Sequence, residues 1–206
     1  RGTFNGAYAI WEKDVENDVA RDQIKLTVND GIFKGAIYSQ NNKNCLIGGT
    51  YDDVSALDYM GKYNGDINIT MARDGSICTS DFYQNRGGAN TSTITIDGAG
   101  HNLTFHSTYR NHIQTTNGAK IILKNAIVDS DYKVGGSTWD DYGLIFDCPT
   151  EFSNVIFNRQ LVLSQPYAHK LSNVTINQTS ETGDMYALWI EAGADVTFNG
   201  GAITAK

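Results

Sequence analysis

Proline is almost absent from this chain. Two of its 206 residues are proline and 21 are glycine, so its turns must be built mainly from glycine, asparagine and aspartate. Stretches rich in Val, Ile, Thr, Phe and Tyr favour strands. No long stretch has apolar residues at helical spacing, and the best helix candidate is residues 7–22, where Trp11, Val15 and Val19 lie four residues apart. We therefore expect an all-β protein.

Positive charge is also scarce. Sixteen Lys and Arg residues stand against 23 Asp and Glu residues, which gives a net charge of −7. Binding to a nucleic-acid backbone requires a basic patch, so this balance argues against a nucleic-acid partner and against anionic membranes. The acidity is that of an exposed, soluble surface.

Cysteines are few and odd in number. Cys45, Cys78 and Cys148 lie far apart with no CxxC pair, which argues against a zinc site. We expect Cys78 and Cys148 to be buried small side chains in strands, with a disulfide as the alternative. There is no signal peptide and no stretch that could span a membrane, so no membrane insertion is expected of this segment. The chain begins at Arg1 without Met, and we interpret it as a piece of a larger protein.

What the sequence does contain is a repeated phrase: a β-type run that ends at Asn or Asp. Nineteen residues separate Asn158 from Asn177, and 22 separate Asn177 from Asn199. Repeats of about 20 to 25 residues are typical of solenoids, in which each coil stacks on its neighbours. The longer intervals require insertions, which we place at residues 107–118 and 129–143. The spacing predicts roughly nine coils.

The Asn residues at the ends of these runs have a structural interpretation. Asparagines at the same corner of successive coils can form a ladder of side-chain amide hydrogen bonds. We expect such a ladder at Asn125, Asn158, Asn177 and Asn199. Ligand binding by these residues is the alternative.

Two motifs resemble known proteins. The segment Ile94–Phe105 resembles the I-D-G-x-G-H-x-I rung of right-handed parallel β-helix proteins of the pectin-lyase-like superfamily. The segments Leu26–Gly35, Gly48–Asp52 and Asp53–Tyr59 resemble the Gly-Gly-Thr-Phe repeats of large secreted or wall-attached β-helix proteins of Gram-positive gut bacteria. The resemblance implies that residues 1–206 are a single right-handed parallel β-helix segment, with a sub-block boundary near 54–65. It also implies an extracellular or cell-surface location and a role in adhesion or display.

Catalytic motifs of β-helix enzymes are not matched. Relative to the hydrolase pattern, Asp140 and Asp141 form an acidic pair, but His101 precedes the pair and no N-T-D or R-I-K occurs. The Arg-centred lyase motif is also missing. We therefore expect no catalytic residues and a non-catalytic module that binds a glycan or a host or cell-surface protein. The alternatives are a fragment of a polysaccharide lyase or glycoside hydrolase, or a phage-type receptor-binding β-helix.

One predicted insertion combines carboxylates with aromatic side chains. Clustered carboxylates can bind calcium, and exposed aromatic rings can stack on sugars, whereas the alternative is a solvated loop with its aromatics folded over the core. Apart from that calcium candidate, no cofactor and no metal ligand are expected. The candidate ligand-binding residues are Asp129, Asp131, Tyr132, Trp139, Asp140, Asp141 and Tyr142.

Overall fold

A computed structural model describes residues 2–12, 27–39, 45–46, 48–55, 66–78, 93–106, 112–115, 118–131, 143–178 and 186–205. These residues form strands joined by turns, without an α-helix, which confirms the expected all-β fold. The predicted boundary near 54–65 and the predicted insertions fall largely outside the described residues. The strands are β1 (Thr3–Glu12), β2 (Thr27–Val28), β3 (Ile32–Ser39), β4 (Cys45–Leu46), β5 (Gly48–Tyr51), β6 (Ile67–Met71), β7 (Gly75–Cys78), β8 (Thr93–Asp97), β9 (Asn102–His106), β10 (His112–Gln114), β11 (Lys120–Ser130), β12 (Gly143–Asp147), β13 (Thr150–Phe157), β14 (Gln160–Leu163), β15 (Ala168–Gln178), β16 (Leu188–Ile190) and β17 (Asp195–Ala205).

The helix candidate at residues 7–22 is wrong over its first part. Residues 7–12 belong to strand β1, which pairs with β3 and places Trp11 opposite Tyr38. The two rings lie 5.2 Å apart. Pairing with a neighbouring strand thus outweighs the weak four-residue spacing of Trp11, Val15 and Val19. Residues 13–22 lie outside the described residues.

Every strand pair is parallel. The main path of the first sheet runs β1-β3-β5-β6-β8-β11-β13-β15-β17, and β9 pairs with both β11 and β7. A second sheet runs β10-β12-β14-β16, and β2 pairs with β4. From β12 to β17 the chain alternates between the two sheets, one strand at a time. Neighbouring strands of each sheet are therefore joined through a strand of the other sheet.

One row of paired residues runs through all nine strands of the main path. It begins at Thr3, which pairs with Ile32, and ends at Ser172 and Asn199. Beyond this row the register shifts twice within the β1–β3 pair, between Asn5 and Tyr8 and between Tyr8 and Ile10. The intermediate positions in this row are Thr50, Thr70, Asp97, Lys124 and Ser153.

The core is a set of apolar columns that this register lines up. Ile96, Leu123 and Phe152 occupy one row on successive strands and are fully buried, as is Leu171 on the next strand. Phe152 also meets Phe157 edge to face, with ring centroids 5.1 Å apart. A buried side chain of this size contributes about 1.5–3 kcal/mol. Each strand buries its inward residues only because its neighbours do the same.

A side-chain ladder crosses the first sheet where the long strands bend. Asn125 Nδ2 donates to Asp97 Oδ1 at 3.0 Å, Asn154 Nδ2 to Asn125 Oδ1 at 3.0 Å, and Asn173 Nδ2 to Asn154 Oδ1 at 2.9 Å. These three asparagines have φ of 48°, 55° and 55°, and Gly200, with φ of 76°, takes their position in β17. Asparagine is one of the few residues that tolerates this left-handed conformation.

The predicted ladder residues are therefore only partly right. Asn125 is in the ladder, but Asn158 and Asn177 lie four residues beyond Asn154 and Asn173 along the chain. Asn199 lies one position before the ladder, opposite Ser172. The left-handed bend determines which asparagines align. In the repeats of β13 and β15 it occurs at the first asparagine and not at the second.

The two cysteines with described side chains are free thiols. Cys148 follows β12, is fully buried, and lies 3.6 Å from the carbonyl oxygen of Ile113. Burial is the main reason that its pKa rises to about 12, and the charge of Asp147 adds to the effect. Cys78 in β7 is partly buried, and the side chain of Cys45 lies outside the described residues. For Cys148, the expectation of a buried small side chain is confirmed.

The ladder predicts different costs for two neighbouring asparagines. We expect Asn154→Ala to lower the free energy of unfolding by about 1–2 kcal/mol, because alanine is strained at this φ and both ladder hydrogen bonds are lost. Asn154→Gly keeps the backbone conformation and should cost less. Asn158→Ala, the matched control outside the ladder, should change stability by less than about 0.5 kcal/mol. Urea unfolding measures all three, and equal losses in Asn154→Ala and Asn158→Ala would contradict the ladder.

Candidate functional site

Two of the predicted ligand-binding residues are engaged by basic side chains. Asp129 Oδ1 lies 2.9 Å from Arg159 Nε, and Asp131 Oδ2 lies 2.6 Å from His106 Nδ1. All four side chains are between 37% and 50% exposed. The two carboxylates thus have different basic partners at the end of β11, and calcium binding by them stays a prediction.

The other five predicted residues, Tyr132, Trp139, Asp140, Asp141 and Tyr142, lie outside the described residues. Within the described ranges, no three His, Cys, Asp or Glu side chains converge on a point that could hold a metal ion. The described part of the chain also contains no helix long and apolar enough to cross a membrane.

The outward face of the second sheet carries two side-chain rows. Ile113, Phe146 and Leu163 point into the core. Because side chains alternate along a strand, the residues before and after them face outward. One outward row contains His112, Ile145, Val162 and Trp189, of which Ile145 and Val162 are nevertheless buried, at 8% and 9% exposure. The other, which we call the polar row, follows the strand ends and contains Gln114, Asp147, Ser164 and Glu191.

Asp147 is the centre of the polar row. Its Oδ2 lies 2.6 Å from His112 Nδ1 and 3.0 Å from Gln114 Nε2, and its Oδ1 accepts from Ser164 Oγ at 2.5 Å. Partial burial raises its pKa, but the hydrogen bonds from His112, Ser164 and Gln114 outweigh burial, so the pKa lies below the ordinary value for aspartate. Asp147 is therefore a fixed, ionised acceptor at neutral pH.

A second carboxylate and an indole complete the face. Glu191 follows β16, and its Oε2 accepts from the backbone N–H of Gln165 at 3.1 Å. Trp189, two residues earlier, is half-buried beside Val162 and has Tyr186 at 6.2 Å. Glu191 lies two strands from Asp147, which corresponds to about 10 Å at ordinary strand spacing. The face thus combines oriented acceptors with an aromatic surface.

An unpaired donor lies in the same sheet. Gln160, the first residue of β14, is 3% exposed, and its Nε2 has no hydrogen-bond partner among the described residues. Its register neighbours on the adjacent strands are Gly143 and Ala187. Leaving a buried donor unpaired costs about 1–3 kcal/mol. A bound oxygen atom would remove this cost.

A buried histidine connects the polar row to the first sheet. His169 of β15 is 1% exposed, with Nε2 2.9 Å from the carbonyl oxygen of Ser164 and Nδ1 2.8 Å from Thr150 Oγ1. Because a carbonyl oxygen only accepts, Nε2 carries the proton and Nδ1 accepts from the threonine hydroxyl. Burial lowers the pKa of His169 despite the bond to Ser164. The backbone that carries Ser164 is thus held by a neutral imidazole.

Sequence reasoning missed this face, although the sequence contains a signal for it. Three of its segments share one pattern, an outward apolar or aromatic residue, an inward apolar residue and a polar residue: Ile145–Asp147, Val162–Ser164 and Trp189–Glu191. The segment His112–Gln114 differs only in its first residue. Each segment is short and the intervals between them are unequal, so the pattern becomes visible only when the strands are aligned.

No protein-family model, curated protein or solved structure matches the chain. Membership of the pectin-lyase-like surface proteins therefore stays a prediction.

The buried histidine predicts a loss of stability in mild acid. An unfolded histidine titrates near pH 6.5, and the folded pKa of His169 is lower. Below about pH 6.5 the unfolded chain takes up a proton that the folded state resists. The free energy of unfolding should then decrease as the pH decreases, by at most about 1.4 kcal/mol per pH unit for this group. Above about pH 7 His169 is neutral in both states, so it does not make the free energy of unfolding depend on pH.

The test is urea unfolding of wild type and His169→Gln between pH 7.5 and 5. The slope of the unfolding free energy against pH should be smaller below pH 6.5 in His169→Gln than in wild type. The slope is the quantity compared, so a uniform loss of stability does not obscure the result. An unchanged slope in His169→Gln would show that another group causes the acid sensitivity.

Proposed function

We propose that the chain is a segment of a right-handed parallel β-helix that binds a ligand without catalysing a reaction. The fold half of the proposal is supported by the parallel pairing of every described strand pair and by the alternation of consecutive strands between two sheets from β12 to β17. A chain that returns repeatedly to the same sheet in one direction winds as a solenoid. Nine strands at about 4.8 Å would span roughly 40 Å.

The right-handed winding has a physical basis. Parallel strands of one sheet are joined through right-handed crossovers in about 98% of cases, because twisted strands pack back onto the sheet most easily in that sense. A crystal structure of the chain would determine the handedness directly, and a left-handed winding would contradict this half of the proposal.

The ligand-binding half rests on one observation: the outward face of the second sheet carries an ionised, rigidly held acceptor. Three donors fix Asp147, and Glu191 and Trp189 lie in the same two rows. Carboxylates accept hydrogen bonds from hydroxyl groups, and an indole offers both an apolar face and an N–H donor. This combination suits a polyhydroxylated ligand. The ligand that we propose is a glycan, with a host or cell-surface protein as the alternative partner.

The setting that we propose for this module is the bacterial cell surface or the extracellular medium. The acidic, weakly charged composition suits an exposed module. A repetitive scaffold whose proposed binding residues lie on one face also suits adhesion, because the rest of the scaffold only has to hold those residues in position. The calcium ligands that we propose are the predicted carboxylates Asp129, Asp131, Asp140 and Asp141.

One observation favours a second candidate function, a glycoside hydrolase. Asp147 and Glu191 lie at the ends of strands whose backbones are about 10 Å apart by ordinary strand spacing, and the two carboxyl groups of inverting enzymes are about 6.5–9.5 Å apart. The lowered pKa of Asp147 fits a general base, whereas the general acid needs a raised pKa. Release of new reducing ends from a bound glycan, abolished by Glu191→Gln, would favour this candidate.

The binding proposal predicts the effect of two changes on the second sheet. The wild-type chain is first screened against glycans and host surface proteins, with and without calcium. For the glycan that binds, we expect Trp189→Ala to raise the Kd at least about tenfold, because the aromatic ring on which the sugar stacks is lost. We expect Glu191→Gln, which preserves shape but removes a charged acceptor, to raise it about fivefold or more. Titration calorimetry measures both values.

The matched control is Ile156→Ala, which removes an exposed apolar side chain from the first sheet. Its Kd should equal that of wild type. Thermal melting of each variant separates loss of binding from loss of fold. Wild-type affinity in both second-sheet variants, or no binding across the whole screen, would overturn the proposal.

A further inference from the structure

A thiol, an imidazole and a carboxylate lie in one row across three strands of the first sheet. Cys78 ends β7 and is the register partner of His106, which ends β9. Asp131 follows β11 and continues its register with β9, since the backbone N–H of Asp131 donates to the carbonyl oxygen of Phe105 at 3.2 Å. Strand β9 pairs with both β7 and β11. His106 is therefore the middle member of the row, with about 4.8 Å between neighbouring strands.

The three side chains point away from the core. Ile77 and Phe105, the residues before Cys78 and His106, are fully buried, and side chains alternate along a strand. The side chains of His106 and Asp131 are 50% and 47% exposed. Cys78 is partly buried. The row can therefore be reached from solvent.

The contact between His106 and Asp131 determines which nitrogen of the imidazole can act as a base. Nδ1 of His106 lies 2.6 Å from Oδ2 of Asp131. An ionised carboxylate only accepts hydrogen bonds, so Nδ1 of the neutral ring carries the proton and Nε2 is an acceptor. Because Nδ1 faces β11, the flank of the ring that carries Nε2 faces β7 and Cys78. A thiol beside a base that is oriented by a third group is the arrangement of an activated nucleophile.

A second carboxylate on the same face of the sheet is engaged elsewhere. Oδ1 of Asp129, two residues before Asp131, lies 2.9 Å from Nε of Arg159. The row also differs from a metal site, in which the ligands converge on one point. No such convergence occurs among the described His, Cys, Asp and Glu side chains. In the row, the histidine lies between the thiol and the carboxylate, so these two groups meet the imidazole on opposite sides.

We propose that Cys78 is a reactive thiol that forms mixed disulfides with low-molecular-weight disulfides, with His106 as its base and Asp131 as the residue that positions the base. Nε2 of His106 takes the proton from Sγ of Cys78, and this sulfur attacks one sulfur of the reagent. The S–S bond of the reagent breaks as the new S–S bond to Cys78 forms. The leaving thiolate takes the proton that His106 holds. Cys78 is thereby oxidised, and one half of the reagent is reduced to a thiol.

The first test measures the rate at which oxidised glutathione modifies Cys78 at pH 6.5, with peptide mapping by mass spectrometry to assign the modified cysteine. We expect His106→Gln to lower the rate at least tenfold, because only about 1% of an ordinary thiol is ionised at this pH without a base. The matched control is His101→Gln, whose imidazole also lies near a carboxylate, Asp74 at 3.5 Å, but at the opposite end of β9. Its rate should equal that of wild type.

The second test separates the loss of a base from a change in access to the thiol. At pH 9.5 an ordinary thiol is largely ionised without a base, so wild type and His106→Gln should react at rates within about twofold of each other. At pH 6.5, Asp131→Asn should lower the rate about threefold or more, and Asp131→Glu, which keeps the carboxylate, should restore most of it.

Thermal melting of each variant confirms that it is folded, and His106→Asn replaces His106→Gln if that variant loses its melting transition. Failure of oxidised glutathione to modify Cys78 in the wild-type chain would overturn the proposal. Equal rates in wild type and His106→Gln at pH 6.5, or a tenfold difference that persists at pH 9.5, would overturn it as well.

Discussion

The structure depends on one constraint, the register that the parallel strands of the main path share. A strand side chain points to one face or the other with a period of two, so a slip by one residue would move a strand's inward side chains to the outside. Ile96, Leu123 and Phe152 are fully buried because they share one row. The ladder that begins at Asp97 and Asn125 joins the same strands by side-chain hydrogen bonds. Apolar columns and the polar ladder therefore specify the same alignment.

The same alignment assembles the polar row from distant parts of the chain. Asp147, Ser164 and Glu191 lie at the ends of three strands, and they become neighbours because those strands are in register. The buried side of each strand provides the stability, which leaves the outward side able to carry charge. Asp147 still loses solvation there, and the donors from His112, Gln114 and Ser164 compensate by holding it ionised. A carboxylate without these donors at this position would have a raised pKa.

The sequence predicts the strands and the repeat because both are local patterns. Composition and alternation favour strands, and the Asn-ended runs give the coil spacing. The identity of the ladder asparagines is different. Phe152–Asn158 and Leu171–Asn177 each contain two asparagines, and both pairs repeat at the same interval of 19 residues. Only the backbone conformation distinguishes them, since the left-handed bend falls on Asn154 and Asn173.

The candidate site was beyond sequence reasoning for a related physical reason. The predicted site relied on residues close together in one loop, and its described members, Asp129 and Asp131, instead face Arg159 and His106. The polar row is close only in space, because its members are contributed one per strand. In a stack of parallel strands, proximity follows the register and not the sequence interval. A functional face on such a scaffold is therefore found by aligning strand ends, where inward packing no longer determines the residue type.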